Sequence, residues 1–207
     1  GGSDDNELYD GVSFATVTGA LEALPKFLNG KVVDIWIQED IYKNIDIRFF
    51  SSGRINLYLD GNTVYGWVRN YTSSAKVNVY GGYMKFETAE TGVIHPSTGC
   101  AVAGRTASLV GQENSPINGY SLKIYGSDYK ASDGNSATVG IVGDAFATGY
   151  YKDVQFVNCD IGFRGSAGAR IHVATSSGVC SQYGFQAVSG SYLTIANGSH
   201  CGGTTGN

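Results

Sequence analysis

A short segment of alternating apolar and polar residues recurs in the first part of this chain at a constant spacing, with the counterpart of each residue i at i+22. The run 33–37 aligns without gaps with 55–59, and that run aligns with 77–81. Alternation with a period of two is typical of a β-strand that has one buried face. When such a strand returns at a fixed spacing, with no helix long enough for βαβ units, each turn of the chain is predicted to lay its strand parallel to the preceding one.

The same i+22 spacing returns near the other end of the chain. It superimposes one set of residues on another: Gly162, Phe163, Ile171 and Val173 on Gly184, Phe185, Leu193 and Ile195. Between about residues 89 and 150 the repeat is weak, and we interpret the Gly/Ser/Asn-rich segment 127–139 as a loop or irregular coil. The sequence therefore predicts an all-β protein, a right-handed single-stranded parallel β-helix of about nine coils with insertions in its middle.

The first part of the chain has a different pattern. Val17, Leu21, Leu24 and Leu28 fall at helical spacing, and Thr16 can serve as the N-cap. This pattern predicts a short amphipathic α-helix that caps the open apolar end of the first coil. We expect an N-terminal segment with this helix over residues 1–30 and a single β-helix domain over 31–207 that belongs to a longer fibre.

Charge and hydropathy exclude two classes of partner. Charged residues make up only 15% of the 207 residues, the net charge is −4, and no basic cluster is present, so nucleic-acid binding is not expected. No apolar run approaches the roughly 18 residues that a bilayer-spanning helix requires, so membrane insertion is not expected either.

Several segments resemble the β-helix domains of tail spikes and tail fibres of bacteriophages that infect Gram-positive bacteria. The matching segments are 13–17, 20–28, 33–37, 45–49, 184–191 and 202–206. The resemblance implies a pectin-lyase-like fold and a homotrimer on the virion tail, with other tail proteins and bacterial surface polysaccharide as partners. Pectin methylesterases begin with a similar helix, but their Gln-Asp-Thr-Leu and Asp-Phe-Ile-Phe-Gly segments are absent from this chain.

Trp36, Tyr58 and Tyr80 occupy the same outward position in the three aligned strands, so they are predicted to stack at about 4.8 Å per coil. The exposed aromatic column has three possible roles: packing between subunits, a platform for carbohydrate, or cross-strand stacking that stabilises the sheet. A second column stacks beside it, and we interpret it as structural because Asn and Asp side chains in such columns satisfy one another. Its members are Asp34, Asn56 and Asn78.

The expected function is host recognition by a phage tail spike or fibre that binds cell-surface glycans at many sites. The alternative is a polysaccharide depolymerase, a hydrolase or lyase, which requires two carboxylates about 5–10 Å apart. The candidate carboxylates are Glu39, Asp40, Asp128, Asp133, Asp144 and Asp153. Nothing in the sequence selects a pair of them, so no catalytic residue is assigned. A purely structural shaft is the third possibility.

Cys159, Cys180 and Cys201 recur at a spacing of i+21, which predicts equivalent positions on successive coils, whereas Cys100 lies off this register. Three residues cannot pair completely, so we predict buried free thiols rather than a disulfide framework. No short Cys-x-x-Cys spacing is present, so we expect no metal, even with a neighbouring histidine, and no cofactor. The three histidines are His95, interpreted as a turn residue, His172 and His200.

Overall fold

A computed structural model describes residues 13–85, 105–126, 137–196 and 198–203. Their strands are all parallel and belong to one sheet. In chain order the elements are α1 (Val17–Ala23), β1 (Val32–Trp36), β2 (Ile45–Arg48), β3 (Arg54–Tyr58), β4 (Thr63–Tyr65), β5 (Val68–Tyr71), β6 (Lys76–Lys85), β7 (Arg105–Gln112), β8 (Ile117–Tyr125), β9 (Ala137–Gly143), β10 (Thr148–Lys152), β11 (Gln155–Gly165), β12 (Arg170–Ala174), β13 (Ser177–Ala187), β14 (Tyr192–Ile195) and β15 (His200–Gly203).

The chain visits three parallel ladders in turn. Ladder A contains β1, β3, β10, β12, β14 and the first parts of β6 and β8. Ladder B contains β4, β15, the ends of β6 and β8 and the first parts of β11 and β13. Ladder C contains β2, β5, β7, β9 and the ends of β11 and β13. Because four strands each belong to two ladders, the ladders join into one sheet that curls around a shared interior.

The strand register confirms the i+22 spacing at both ends of the chain. Ile55 pairs with Val33 on one side and with Val77 on the other. Phe163 likewise pairs with Phe185. The side chains that alternate toward the interior in these strands therefore stack on their counterparts and form a continuous apolar column.

The insertions expected in the middle of the chain are confirmed. Val77 pairs with Ile117, and Asn78 with Asn118, a separation of 40 residues, although the strands themselves continue in ladders A and B. One part of the predicted loop is wrong, because Ala137 to Val139 belong to β9, and residues 127–136 lie outside the described residues. The same strand contains Gly140, where a Cβ would collide with the Phe156 ring.

The predicted helix is confirmed, although it is shorter than the apolar spacing indicated. The Thr16 hydroxyl accepts a hydrogen bond of 2.9 Å from the Gly19 amide, which identifies Thr16 as the N-cap. Helix α1 ends at Ala23 because Pro25 disfavours helical backbone at Leu24, whose ψ is 138°. Leu28 therefore lies outside the helix.

A large apolar core runs through the described residues, from Leu21 near the beginning to Cys201 near the end, and Val139 and Ile161 form a smaller separate cluster. Leu21, Leu24 and Leu28 are buried in it, and α1 contacts β2, so this segment covers the interior beside the first strands. Ile55 and Leu57 are fully buried within ladder A. No helix in the described ranges combines the length and apolar character needed to cross a bilayer.

Candidate functional site

The outer face of ladder A carries a stack of aromatic rings. Centroids of Trp36 and Tyr58 are 4.3 Å apart, and those of Tyr58 and Tyr80 are 4.9 Å apart, with planes within 14° of parallel. The predicted stacking of these three residues is therefore confirmed. The stack continues to Tyr120, 4.9 Å beyond Tyr80. We call these four residues the aromatic ladder.

Stacking determines which ring surfaces are available. Both faces of Tyr58 and both faces of Tyr80 are covered by neighbouring rings, so these tyrosines present only their edges and hydroxyls to solvent. Burial raises the pKa of Tyr58, and nearby Asp34 raises it further. Burial likewise raises the pKa of Tyr120. These two raised pKa values keep the phenols of Tyr58 and Tyr120 neutral hydrogen-bonding groups near pH 7. The middle of the aromatic ladder contributes rigidity more than open stacking surface.

A column of amides lies beside the aromatic ladder. Asn56 Nδ2 donates to Asp34 Oδ1 at 2.7 Å, and Asn78 Nδ2 donates to Asn56 Oδ1 at 2.8 Å. Asn118 Nδ2 then donates to Asn78 Oδ1, also at 2.8 Å. The three asparagines are each at most 7% exposed. The structural interpretation of Asp34, Asn56 and Asn78 is confirmed. We call these three residues together with Asn118 the amide ladder.

The aromatic ladder and the amide ladder meet at Tyr150. Its strand pairs so that Tyr151 lies opposite Gly119, which places Tyr150 opposite Asn118 and not opposite Tyr120. The Tyr150 amide donates to Asn118 Oδ1 at 2.8 Å. The ring stack therefore moves sideways by one column, and the Tyr120 and Tyr150 rings are 5.9 Å apart and tilted by 46°. The regular stacking ends at this step.

A groove of about 330 Å³ lies on this face and spans the step, with lining residues on both sides of it. Its described lining combines aromatic rings, hydroxyls, an amide and two cationic side chains. The lining residues are Lys76, Pro116, Asn118, Thr148, Gly149, Tyr150, Arg170, Ile171, His172, Tyr192 and Thr194. Tyr192 is 67% exposed, so its ring is open to a ligand, and the Tyr150 ring packs at 5.2 Å against His172. The groove therefore offers stacking surface and hydrogen-bonding groups together.

Three of the carboxylates proposed for catalysis lie outside the groove lining and have structural partners. Asp40 Oδ1 accepts a hydrogen bond from the Thr63 amide at 2.7 Å, and Asp144 Oδ1 accepts one from the Ser166 hydroxyl at 2.7 Å. Asp153 accepts a hydrogen bond from the Thr175 hydroxyl. Glu39 is exposed, and Asp128 and Asp133 lie outside the described residues. None of the described residues that line the groove is acidic.

The cysteines are buried, free thiols in the described part of the chain. Cys159 pairs with Cys180 as predicted, but Cys201 pairs with Gly178, so its predicted equivalence is wrong. The reason is that β13 and β15 pair at a spacing of i+23, whereas the cysteines recur at i+21. No three His, Cys, Asp or Glu side chains are grouped to hold a metal ion within the described ranges. His95 lies outside them, and His200 is exposed.

These thiols are expected to resist alkylation in the folded protein. Burial raises the pKa of Cys159 and of Cys201 to about 12 and that of Cys180 to about 11. The reactive thiolate is therefore scarce at pH 8. In a Cys100→Ser background, iodoacetamide should modify none of the three in the native protein and all three in guanidinium chloride, as measured by intact mass. Rapid native labelling at any of them would contradict the buried arrangement.

Comparison of the chain with protein-family models, with curated proteins and with solved structures finds no match. The functional assignment therefore depends on the residues themselves.

Sequence reasoning missed the continuation of the aromatic ladder to Tyr120 and the groove on the same face. A signal for Tyr120 was present, because the Asn-x-Tyr pattern that ends at Tyr58 and Tyr80 recurs as Asn118-Gly119-Tyr120. The insertion before β8 displaced this pattern from the i+22 spacing. Arg170 and Tyr192 do keep that spacing and pair with each other, but their residue types differ.

Proposed function

We propose that this chain is a right-handed parallel β-helix that binds cell-surface glycans through the groove on ladder A. The regular order in which the chain visits ladders A, B and C supports this fold, since a β-helix is a chain that winds repeatedly through the same parallel ladders. The rigid stacking of rings and amides on ladder A supports a binding surface that keeps its shape.

The groove is the observation that carries the proposal. Sugars present apolar ring faces together with hydroxyls, so a binding surface for them requires exposed aromatic rings next to hydrogen-bonding side chains. Tyr192 supplies an exposed ring, and Thr148 and Thr194 supply exposed hydroxyl groups within the same groove. This combination favours carbohydrate over a purely apolar ligand.

The positions and hydrogen bonds of the carboxylates favour glycan binding without cleavage. Glycoside hydrolysis requires two carboxyl groups on either side of the bond that is cut. The groove has no acidic residue in its described lining, and Asp40, Asp144 and Asp153 already accept hydrogen bonds from residues of the following coil. We therefore favour adhesion over the depolymerase alternative.

The phage assignment is part of the same proposal. The residues that resemble phage tail proteins, 13–17, 20–28 and 184–191 among them, support a tail spike or tail fibre on the virion, assembled as a homotrimer with other tail proteins. Three copies would present three grooves to a repeating bacterial polysaccharide, and avidity would then exceed the affinity of each groove.

Tyr192→Ala is expected to weaken binding to bacterial surface polysaccharide by about tenfold, because loss of one stacked aromatic ring removes about 1–1.5 kcal/mol. Tyr42→Ala is the matched control, since Tyr42 is 66% exposed and stacks at 4.6 Å on Tyr65, away from the groove. Binding is measured by biolayer interferometry against immobilised capsule and cell-wall polysaccharides.

Release of reducing ends is followed in the same samples, and none is expected. Equal losses in both variants, or no polysaccharide bound by the wild-type chain, would contradict the proposed function. Oligosaccharide release would favour the depolymerase.

A further inference from the structure

The cationic side chains of the groove occupy fixed places in one outward column of ladder A. Arg54 pairs with Lys76 on the neighbouring strand, and the Val77 amide donates to the Pro116 carbonyl, which places Pro116 next to Lys76. Pro116 then bridges to Thr148, and Thr148 pairs with Arg170. Lys76 and Arg170 are therefore separated by three strand spacings, about 14 Å between their backbones.

Neither cation is neutralised within the described part of the chain. Lys76 and Arg170 are exposed, and the ion pair between Arg69 and Asp46 lies in ladder C, away from them. The nearest carboxylate on the outer face of ladder A is Asp34, two strands from Lys76, where it accepts the hydrogen bond from Asn56.

This local charge contrasts with the whole chain, whose net charge is −4. A positively charged groove on a negatively charged protein attracts anions locally, because nearby charges dominate within a Debye length of about 8–10 Å. Neutral sugars would gain no electrostatic attraction from the two cations, so the charge of the groove favours anionic glycans over neutral ones.

We infer that the ligand is a polyanionic glycan whose repeated carboxylate or phosphate groups pair with Lys76 and Arg170 while its sugar rings contact Tyr192 and Tyr150. This inference rests on the proposed function and narrows it to one ligand class. A chain-like ligand fits because the cations stand at separate positions along the groove, with uncharged Pro116 and Thr148 between them. Arg170 can hold a carboxylate or a phosphate through two parallel hydrogen bonds.

The test measures binding of the full chain to polygalacturonate, to a phosphodiester-linked polyol polymer and to neutral dextran of similar length, each at about 50 and 500 mM NaCl. The first two polymers distinguish carboxylate from phosphate, and binding of either supports the inference. Both anionic affinities should fall with salt, because the interaction is between exposed charges. Monomeric galacturonate should bind far more weakly than its polymer.

The decisive variant is Lys76→Gln/Arg170→Gln, which is expected to weaken anionic glycan binding by at least about tenfold. Lys43→Gln/Lys123→Gln is the matched control, because it removes the same two charges outside the groove and should change binding less than about twofold. Thermal unfolding of both variants confirms that they fold.

The possible outcomes distinguish failure of this inference from failure of the proposed function. If dextran binds as well as polygalacturonate and Tyr192→Ala abolishes the binding of both polymers, the inferred ligand class is wrong but glycan recognition stands. If no polymer binds, both fail. Equal binding of single-stranded DNA, or equal losses in the two double variants, would overturn the inference in favour of unselective charge attraction.

Discussion

Gly82→Ala is expected to lower the free energy of unfolding by about 3–5 kcal/mol, because the added methyl group would strain the backbone and clash with the turn between β3 and β4. Gly82 has a φ of +131°, which side chains other than glycine rarely adopt. A Cβ there would lie 2.6 Å from the Leu59 Cβ and 2.7 Å from the Asn62 carbonyl oxygen. That oxygen accepts the Tyr83 amide at 3.0 Å, so relief of the clash would break a bond in ladder B.

The adjacent glycine supplies the control. Gly81 has a φ of +48° and nothing within 4 Å of the position that a Cβ would occupy, so Gly81→Ala should cost only about 1 kcal/mol of left-handed strain. Both variants are compared by urea unfolding followed by far-ultraviolet circular dichroism. Equal destabilisation would mean that the close approach of β6 to the turn between β3 and β4 does not limit this position.

Asn78→Ala is expected to lower the free energy of unfolding by about 2–4 kcal/mol, because it leaves two buried polar groups without partners. Asn78 is 3% exposed, donates to Asn56 and accepts from Asn118. Its removal would orphan the Asn56 carbonyl oxygen and the Asn118 amide group together. The same urea titration measures the effect.

Asp34→Asn tests the end of the same amide ladder. An amide at this exposed position still accepts the hydrogen bond from Asn56, so the change should stay within about 0.5 kcal/mol. A loss at Asn78 no larger than the loss at Asp34 would show that the amide ladder does not act as a connected network.

The stability of the outer face of ladder A bears directly on the proposed function. Trp36, Tyr58 and Tyr80 were predicted to stack, and they do, but their role in glycan binding or subunit packing stays a prediction. Since Tyr58 and Tyr80 have both faces covered, the open rings lie at Tyr192 and at the exposed end of the stack, where Trp36 is 58% exposed. Ligand contact is therefore expected where the regular stacking ends.

Local patterning accounts for what could be predicted. Alternation with a period of two decides which side chains face the interior, and an uninterrupted repeat at i+22 forces equivalent residues to stack. Trp36 above Tyr58 and Phe163 opposite Phe185 followed from these two rules. Thr16 likewise followed from the local chemistry of a helix N-cap.

The groove could not be predicted in this way, because it depends on register after an insertion. Asn118 in β8 lies 40 residues after its counterpart Asn78 along the chain, and Tyr150 lies 32 residues after Asn118. Hydrogen bonding and core packing across the ladder, not spacing along the chain, decide which residues then lie opposite one another. The sequence thus determined the repeat, the aromatic ladder and the buried faces, whereas the tertiary structure decided that Tyr150 entered the amide column and brought Lys76, Arg170 and Tyr192 to one groove.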